Sequence, residues 1–136
     1  MKRGAGIILC QYASGEQPHF LGLIGPRKFQ NKNCGTYDIP KGIIENNEDP
    51  WKAAQRECFE ECGIFVFEED LLAGPFEYEN LTIWMAKCMH EPDVRPNPNT
   101  GVIEHLGCKW LQPYELLNDS YIYLRPAISW AIGELR

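Results

Sequence analysis

At 136 residues and 15.6 kDa, the chain is sized for one compact domain, residues 1–136, with no second catalytic or substrate module beside it. Hydrophobic residues make up 44% and charged residues 24%, a balance that supports an apolar core and excludes a disordered chain. With 13 Lys plus Arg against 19 Asp plus Glu, the net charge of −6 argues against an extended DNA or RNA groove, whose affinity comes from neutralising many phosphates. A small polyphosphate remains open, provided divalent cations stand between its phosphates and the protein's carboxylates.

In chain order, Gly4 to Cys10 and Phe20 to Ile24 are short apolar runs separated by the polar YASGEQPH stretch, which predicts a β-hairpin. A polar segment then leads into Tyr37-Asp38-Ile39-Pro40-Lys41-Gly42, a brief strand ending at a glycine turn. Asp49 is placed to cap a helix, Pro50 suits its first position, and Gly63 suits the left-handed residue past its end, so the helix is predicted over Pro50 to Cys62. Trp51, Ala54, Cys58 and Cys62 form its apolar stripe, with Ala53, Glu57, Glu60 and Glu61 toward another side. Strands are expected at Leu71–Ala73 and Phe76–Tyr78, bent at Gly74-Pro75, then at Leu81–Cys88 and at Ile103–Leu111, the last after an exposed HEPDVRPNPNTG loop. Pro113–Leu117 and Pro126–Leu135 read as helices, the second with Ile128, Ala131, Ile132 and Leu135 toward the core. The sum is an α/β (α+β) chain with helices packed on a mixed sheet.

Six cysteines lie at wide spacings apart from the Cys58/Cys62 pair, and the N-terminus lacks the long apolar core of a secretory segment. The cysteines are therefore expected to be reduced and the protein cytoplasmic. Cys58, Cys62, Cys88 and His90 lack regular zinc-ligand spacing, so the cysteines read as small buried hydrophobes. No run approaches the roughly 18 apolar residues of a membrane helix, and no membrane partner is expected.

Glu57, Glu60 and Glu61 stand at positions i, i+3 and i+4, so helix geometry gathers three carboxylates on neighbouring parts of one surface. Alone, such a cluster is more often a solvated face than a site. A hard divalent cation such as Mg2+ or Mn2+ would turn its repulsion into attraction and bridge it to phosphate oxygens.

The surrounding order gives the cluster a context. GIIENNEDPWKAAQRECFEECGI, residues 42–64, resembles the Nudix box of the Nudix hydrolases at every spacing through Gly42, Glu48, Arg56, Glu57, Glu60, Glu61 and Gly63. Cys58 departs from the usual aliphatic residue but suits the same packing role. The resemblance implies an α/β/α sandwich with a curved mixed sheet. It also implies Mg2+ or Mn2+ held by Glu57, Glu60 and Glu61, with Glu48, Arg56 and Gly42 in support. The activity implied is attack of metal-activated water on a diphosphate linkage of a nucleoside diphosphate joined to a second group, with Glu61 or Glu57 orienting or deprotonating the water.

Outside the box, Tyr37 to Gly42 resembles the aromatic-x-x-Pro-Lys-Gly approach of the subgroup that cleaves diadenosine polyphosphates, which would put Lys41 at a distal phosphate, against the alternative of a solvated loop lysine. Glu104-His105 followed by Trp110-Leu111 resembles a segment of the asymmetrical diadenosine tetraphosphate hydrolases, which implies Glu104 as a further metal ligand or base and His105 as either a phosphate contact or a solvent-facing or hydrogen-bonded residue. Tyr37, Trp84 and Tyr114 are candidates to stack on a base, against the alternative that they fill the core. The expected partner is a nucleoside polyphosphate, such as diadenosine tetraphosphate cleaved to ATP and AMP. Alternatives are a triphosphorylated RNA 5′ end, a nucleotide sugar or dinucleotide cofactor, or noncatalytic nucleotide binding, by a monomer or small homo-oligomer.

Overall fold

Residues 5–10 are buried without interruption, which a strand reaches only when both faces of its sheet are covered. They belong to β1 (Gly4–Gln11) in the computed structural model, which describes residues 2–12, 17–27, 30 and 35–135. The other strands described are β2 (His19–Ile24), β3 (Tyr37–Asp38), β4 (Lys41–Ile43), β5 (Leu71–Tyr78), β6 (Leu81–Lys87) and β7 (Gly107–Leu111). They form one sheet in the order β3-β2-β1-β6-β5, with β4 also paired to β1 and β7 to β2. β1 and β6 run parallel and the other paired strands antiparallel, so the sheet is mixed.

The helices described are α1 (Pro50–Cys62), α2 (Pro113–Asp119) and α3 (Arg125–Glu134). Alternation along β1 divides the core between them. Ala5, Ile7 and Leu9 pack with Ala54, Cys58 and Cys62 of α1. Ile8 and Cys10 pack with Leu116 of α2 and with Ala127, Ile128 and Ala131 of α3. Each fully buried Ile or Leu contributes about 1.5–3 kcal/mol, so helices are held on both faces, as the layered arrangement expected from the sequence requires. No described helix is long and apolar enough to cross a membrane.

Three expectations for strands differ from the structure by more than an end residue. The stretch expected as one strand from Tyr37 to Gly42 is two: β3 pairs with β2 and β4 with β1. Pro40 stands between them with no N–H to donate, while its carbonyl accepts from Ile7 N at 3.0 Å. The strand expected from Ile103 begins only at Gly107, because residues 103–106 leave the ladder after Leu106 N donates to Ile24 O at 2.8 Å. The bend at Gly74-Pro75 lies inside a continuous β5, as register shifts against β6 between Leu71 and Phe76.

Cys10, Cys58, Cys62 and Cys88 are buried and free, and Cys108 is half-buried and free. Cys34 and part of the expected 12–19 loop lie outside the described residues.

Candidate active site

The helix start and stop signals in the sequence set the register of α1. Asp49 accepts from the amides of Trp51 and Lys52 at 3.1 and 3.2 Å, and Gly63 adopts φ 74° with its N–H on Phe59 O at 2.9 Å. Between these ends, Glu57, Glu60 and Glu61 occupy the C-terminal half, where the helix dipole disfavours negative charge, and no basic residue stands in the last turn. Three carboxylates there cost stability, which points to a use beyond folding.

Arg56 organises them. Its Nε and Nη2 donate to both oxygens of Glu48 at 2.9 and 3.0 Å, and Nη2 also donates to Ile43 O at 3.0 Å. Its Nη1 reaches Glu57 at 2.8 Å and Glu60 at 3.3 Å. The fork pins the guanidinium to the loop before the helix, and the remaining nitrogen orients two carboxylates. Glu48 is held below the usual carboxylate range, first by its hydrogen bond from Arg56.

Glu57 and Glu61 shift the other way. Burial raises Glu57, with the charges of Glu60 and Glu104 adding to it against Arg56. Burial raises Glu61 well above its ordinary value, and Asp38 adds to it, although Lys41 N donates to Glu61 Oε1 at 3.1 Å. The helix prediction set Ala53 and Glu61 away from the apolar stripe, but both are buried: Ala53 belongs to the same core cluster as Ala54 and Cys58, and Glu61 is met by the Lys41 amide.

Gly42 meets this cluster at close range. A Cβ there would fall on the carboxylate of Glu57, so the absence of a side chain leaves the space that the carboxylate fills. Gly42 also lines a cavity of about 240 Å³ with Lys2, Arg3, Lys41, Asn80 and Tyr123. That volume is below the roughly 300–1,000 Å³ of pockets that enclose a whole ligand, so it suits part of a nucleoside polyphosphate.

Lys41 sits at the junction of cavity and carboxylates. Its Nζ is 3.3 Å from Asp38 Oδ1 and 5.3 Å from the centroid of the Tyr123 ring. Burial lowers the pKa of its ammonium, but Asp38, then Tyr123 and Glu61, outweigh burial and raise it well above the ordinary lysine value. Asp38 is pushed up by burial, yet Lys41, His105 and the Ile39 amide together hold it below its usual value.

Other expected contacts lie elsewhere. Trp84 is 8% exposed and packs edge-on against Trp51 at 5.2 Å, so its ring serves the core rather than a base. His105 is 7% exposed with its Nε2 2.9 Å from Asp38 Oδ2, which makes it an internal hydrogen-bonding residue and removes it from direct phosphate contact. Tyr37 is half-buried against the α2/α3 side of the core, while Tyr114 is exposed on α2, and neither is among the residues lining the cavity. Glu104 is exposed, and its charge reaches Glu57. Asp38 stood unassigned within the Tyr37–Gly42 motif, Asn80 fitted only an Asn-x-Thr glycosylation pattern given no function, and Lys2, Arg3 and Tyr123 carried no motif.

Among the described residues, no three acidic, histidine or cysteine side chains converge as a formed metal centre. Arg56 reaches both Glu57 and Glu60, and Glu61 is drawn to the Lys41 amide. The donor chemistry nevertheless fits a hard divalent cation. The carboxylates supply oxygen ligands, and the ionised forms of Glu57 and Glu61, disfavoured by burial, would be stabilised by an adjacent positive charge.

The fold and site define a small α/β/α domain that presents a carboxylate-bearing helix beside a cavity rimmed with lysine and arginine. A family model described as the NUDIX domain matches residues 2–131, and the chain belongs to that family. The matched residues contain the whole 42–64 box on which the sequence resemblance rests. Among solved structures, the binary complex of a C. elegans Ap4A hydrolase is similar with a TM-score of 0.72 at 21% identity, covering 98% of each chain. The NUDIX domain of Shewanella oneidensis NrtR complexed with ADP ribose is similar with a TM-score of 0.69 at 14% identity, covering 100% of this chain and 89% of that one. At such identities the likeness is one of fold. An uncharacterized 17.7 kDa protein from the e-segB intergenic region of Enterobacteria phage T4 is 34% identical over 79 residues, 56% of this chain. The match spans only 50% of that curated relative's length.

Proposed function

We propose that the protein is a divalent-metal-dependent pyrophosphohydrolase whose substrate is a diadenosine polyphosphate, with diadenosine tetraphosphate cleaved asymmetrically to ATP and AMP. The observation that carries this reading is the double contact of Gly42, which lines the basic cavity on one side and abuts the Glu57 carboxylate on the other. A polyphosphate lying in the cavity would therefore meet the carboxylate helix at its next phosphate. The motif Tyr37–Gly42, the Glu104-His105 segment and the fold shared with a C. elegans Ap4A hydrolase support this choice of substrate.

Glu57, Glu60 and Glu61 would hold Mg2+ or Mn2+, with Glu104 as a further ligand or base. When bound, the ion supplies Lewis-acid polarisation of phosphoryl oxygens and lowers the pKa of water. The chain's own residues do the rest. Lys41, kept charged by Asp38, pairs with a distal phosphate, and Lys2 and Arg3 add positive charge along the same cavity. Arg56 keeps Glu57 and Glu60 oriented while Glu48 keeps Arg56 in place. Water forms the new bond to phosphorus and loses a proton to a carboxylate oxygen of Glu57, Glu61 or Glu104, and the anhydride P–O bond breaks with its electron pair leaving on the departing phosphate.

The test is purified protein with Mg2+ or Mn2+ and a panel of diadenosine polyphosphates, ADP-ribose, nucleotide sugars and 5′-triphosphorylated RNA, with products separated by chromatography. Diadenosine tetraphosphate is expected to give ATP and AMP at the highest kcat/KM. Preferential cleavage of another panel member overturns the substrate, and saturable nucleotide binding without turnover of any phosphoanhydride makes the chain a binding protein.

A further inference from the structure

The loop that carries Glu104 has little of its own to hold it. Within residues 101–106, His105 alone is buried, while Val102, Ile103 and Leu106 are 57%, 63% and 61% exposed. These apolar side chains therefore add little burial energy to fix the loop. Its backbone anchors are Leu106 N on Ile24 O at one end and, at the other, Gly101 N on Asn97 O and Val102 O accepting from Asn97 N, all 2.8 Å. Glu104 lies between those anchors, one residue from His105.

His105 is held by a residue 67 positions away in sequence. Asp38, 6% exposed on β3, stands 2.9 Å from the His105 Nε2 through its Oδ2. Its Oδ1 accepts from Ile39 N at 2.8 Å and lies 3.3 Å from Lys41 Nζ. One buried carboxylate thus grips the Glu104 loop with one oxygen and the cavity lysine with the other. Buried charge is costly unless every partner is in place, so both grips are strongly directional.

We propose that Asp38 is a positioning residue that sets Glu104, through His105, and Lys41 in fixed relation across the site. The proposal rests on reading Glu104 and Lys41 as site residues, and it goes beyond that reading by naming what aligns them. A merely stabilising ion pair would lower the melting temperature without acting selectively on the Glu104 loop or through Glu104.

Asp38→Asn keeps the shape and an oxygen for the Ile39 amide while removing the charge. In metal-free protein, hydrogen exchange at the hydrogen-bonded Val102 and Leu106 amides is expected to quicken about tenfold or more, with the β1 and β6 amides unchanged. In the metal-loaded enzyme kcat is expected to fall about 10- to 100-fold, the range for residues that orient ligands. In a Glu104→Gln background, Asp38→Asn should cost less in kcat than in the wild type, because the Glu104 arm is already lost and only the Lys41 arm remains to be broken. His105→Leu cuts the same bond from the other end and leaves Asp38 paired with Lys41, so it reports on the Glu104 arm even if Asp38→Asn fails to fold. His105→Gln, which restores an N–H donor, should recover part of the loss.

Unchanged exchange at the Val102 and Leu106 amides, or uniform quickening across the sheet, overturns the clamp. Full multiplicativity of Asp38→Asn with Glu104→Gln overturns action through Glu104. If the wild type cleaves no phosphoanhydride, the functional reading fails, while the exchange measurement still decides whether Asp38 holds the loop.

Discussion

Gly42→Ala places a methyl group on the Glu57 carboxylate. Ordinary contact distances are about 3.5 Å, so the carboxylate must withdraw by roughly 1 Å or more. Gly42 is not among the glycines with positive φ, and alanine there reduces unfolded-chain freedom, a gain of about 0.4–1 kcal/mol. Against this, Glu57 leaves its 2.8 Å bond from Arg56, a charge-assisted contact of about 1.5–3 kcal/mol. The net loss is about 0.5–2.5 kcal/mol, or roughly 2–10 °C in Tm for a domain of this size. Turnover should suffer far more, because a 1 Å misplacement of a positioned group costs about 100-fold. The assay pairs differential scanning fluorimetry without metal with AMP release from diadenosine tetraphosphate at saturating Mg2+. A kcat within threefold of wild type would refute the placement of Glu57 in the chemistry, and a Tm loss above about 15 °C would show that more than a flexible side chain had been displaced.

Glu61→Gln should lower kcat by about 100-fold or more while leaving the metal-free Tm equal or higher. The folded pKa of Glu61 is raised, so its ionised form opposes folding above the ordinary carboxylate range, and the amide oxygen can still accept from Lys41 N. A metal-free Tm several degrees lower with turnover intact is the contrary result. Glu104→Gln should reduce turnover with little change in Tm, since the residue is exposed, and wild-type activity across a Mn2+ titration would return it to an ordinary loop residue. Glu48→Gln removes one half of the fork with Arg56, worth about 1 kcal/mol. Because the folded pKa of Glu48 is lowered, that stability is present above the ordinary carboxylate pKa and lost as pH falls through the folded value. The Tm gap between variant and wild type should therefore close in acid, and a constant gap from pH 7 to 2 would contradict it.

The helix from Pro50 to Cys62 was legible to the residue, because its signals are local: a capping carboxylate, a proline at the first position and a glycine able to adopt the left-handed conformation. The i, i+3, i+4 spacing of Glu57, Glu60 and Glu61 was legible for the same reason. The strand expected from Ile103 failed because an apolar run marks burial only if a partner strand continues beside it, and residues 103–106 leave the ladder before Gly107. Trp84 and His105 were ambiguous, since an aromatic or imidazole ring suits a core as well as a ligand, and burial against Trp51 and Asp38 decided both.

By itself the sequence determined the family and the carboxylate helix, whereas the close approach that requires glycine at position 42 is a tertiary contact with Glu57. The sequence also determined that a net acidic chain could meet an anionic substrate through cations. Only the tertiary structure decided that Asp38 bonds His105, 67 residues away, that Glu61 is buried, and that Lys2, Arg3 and Tyr123 share a cavity with Lys41. The physical reason is range: caps and helical spacing act over a few residues, whereas burial, buried ion pairs and cavities arise where strands distant in sequence are brought side by side.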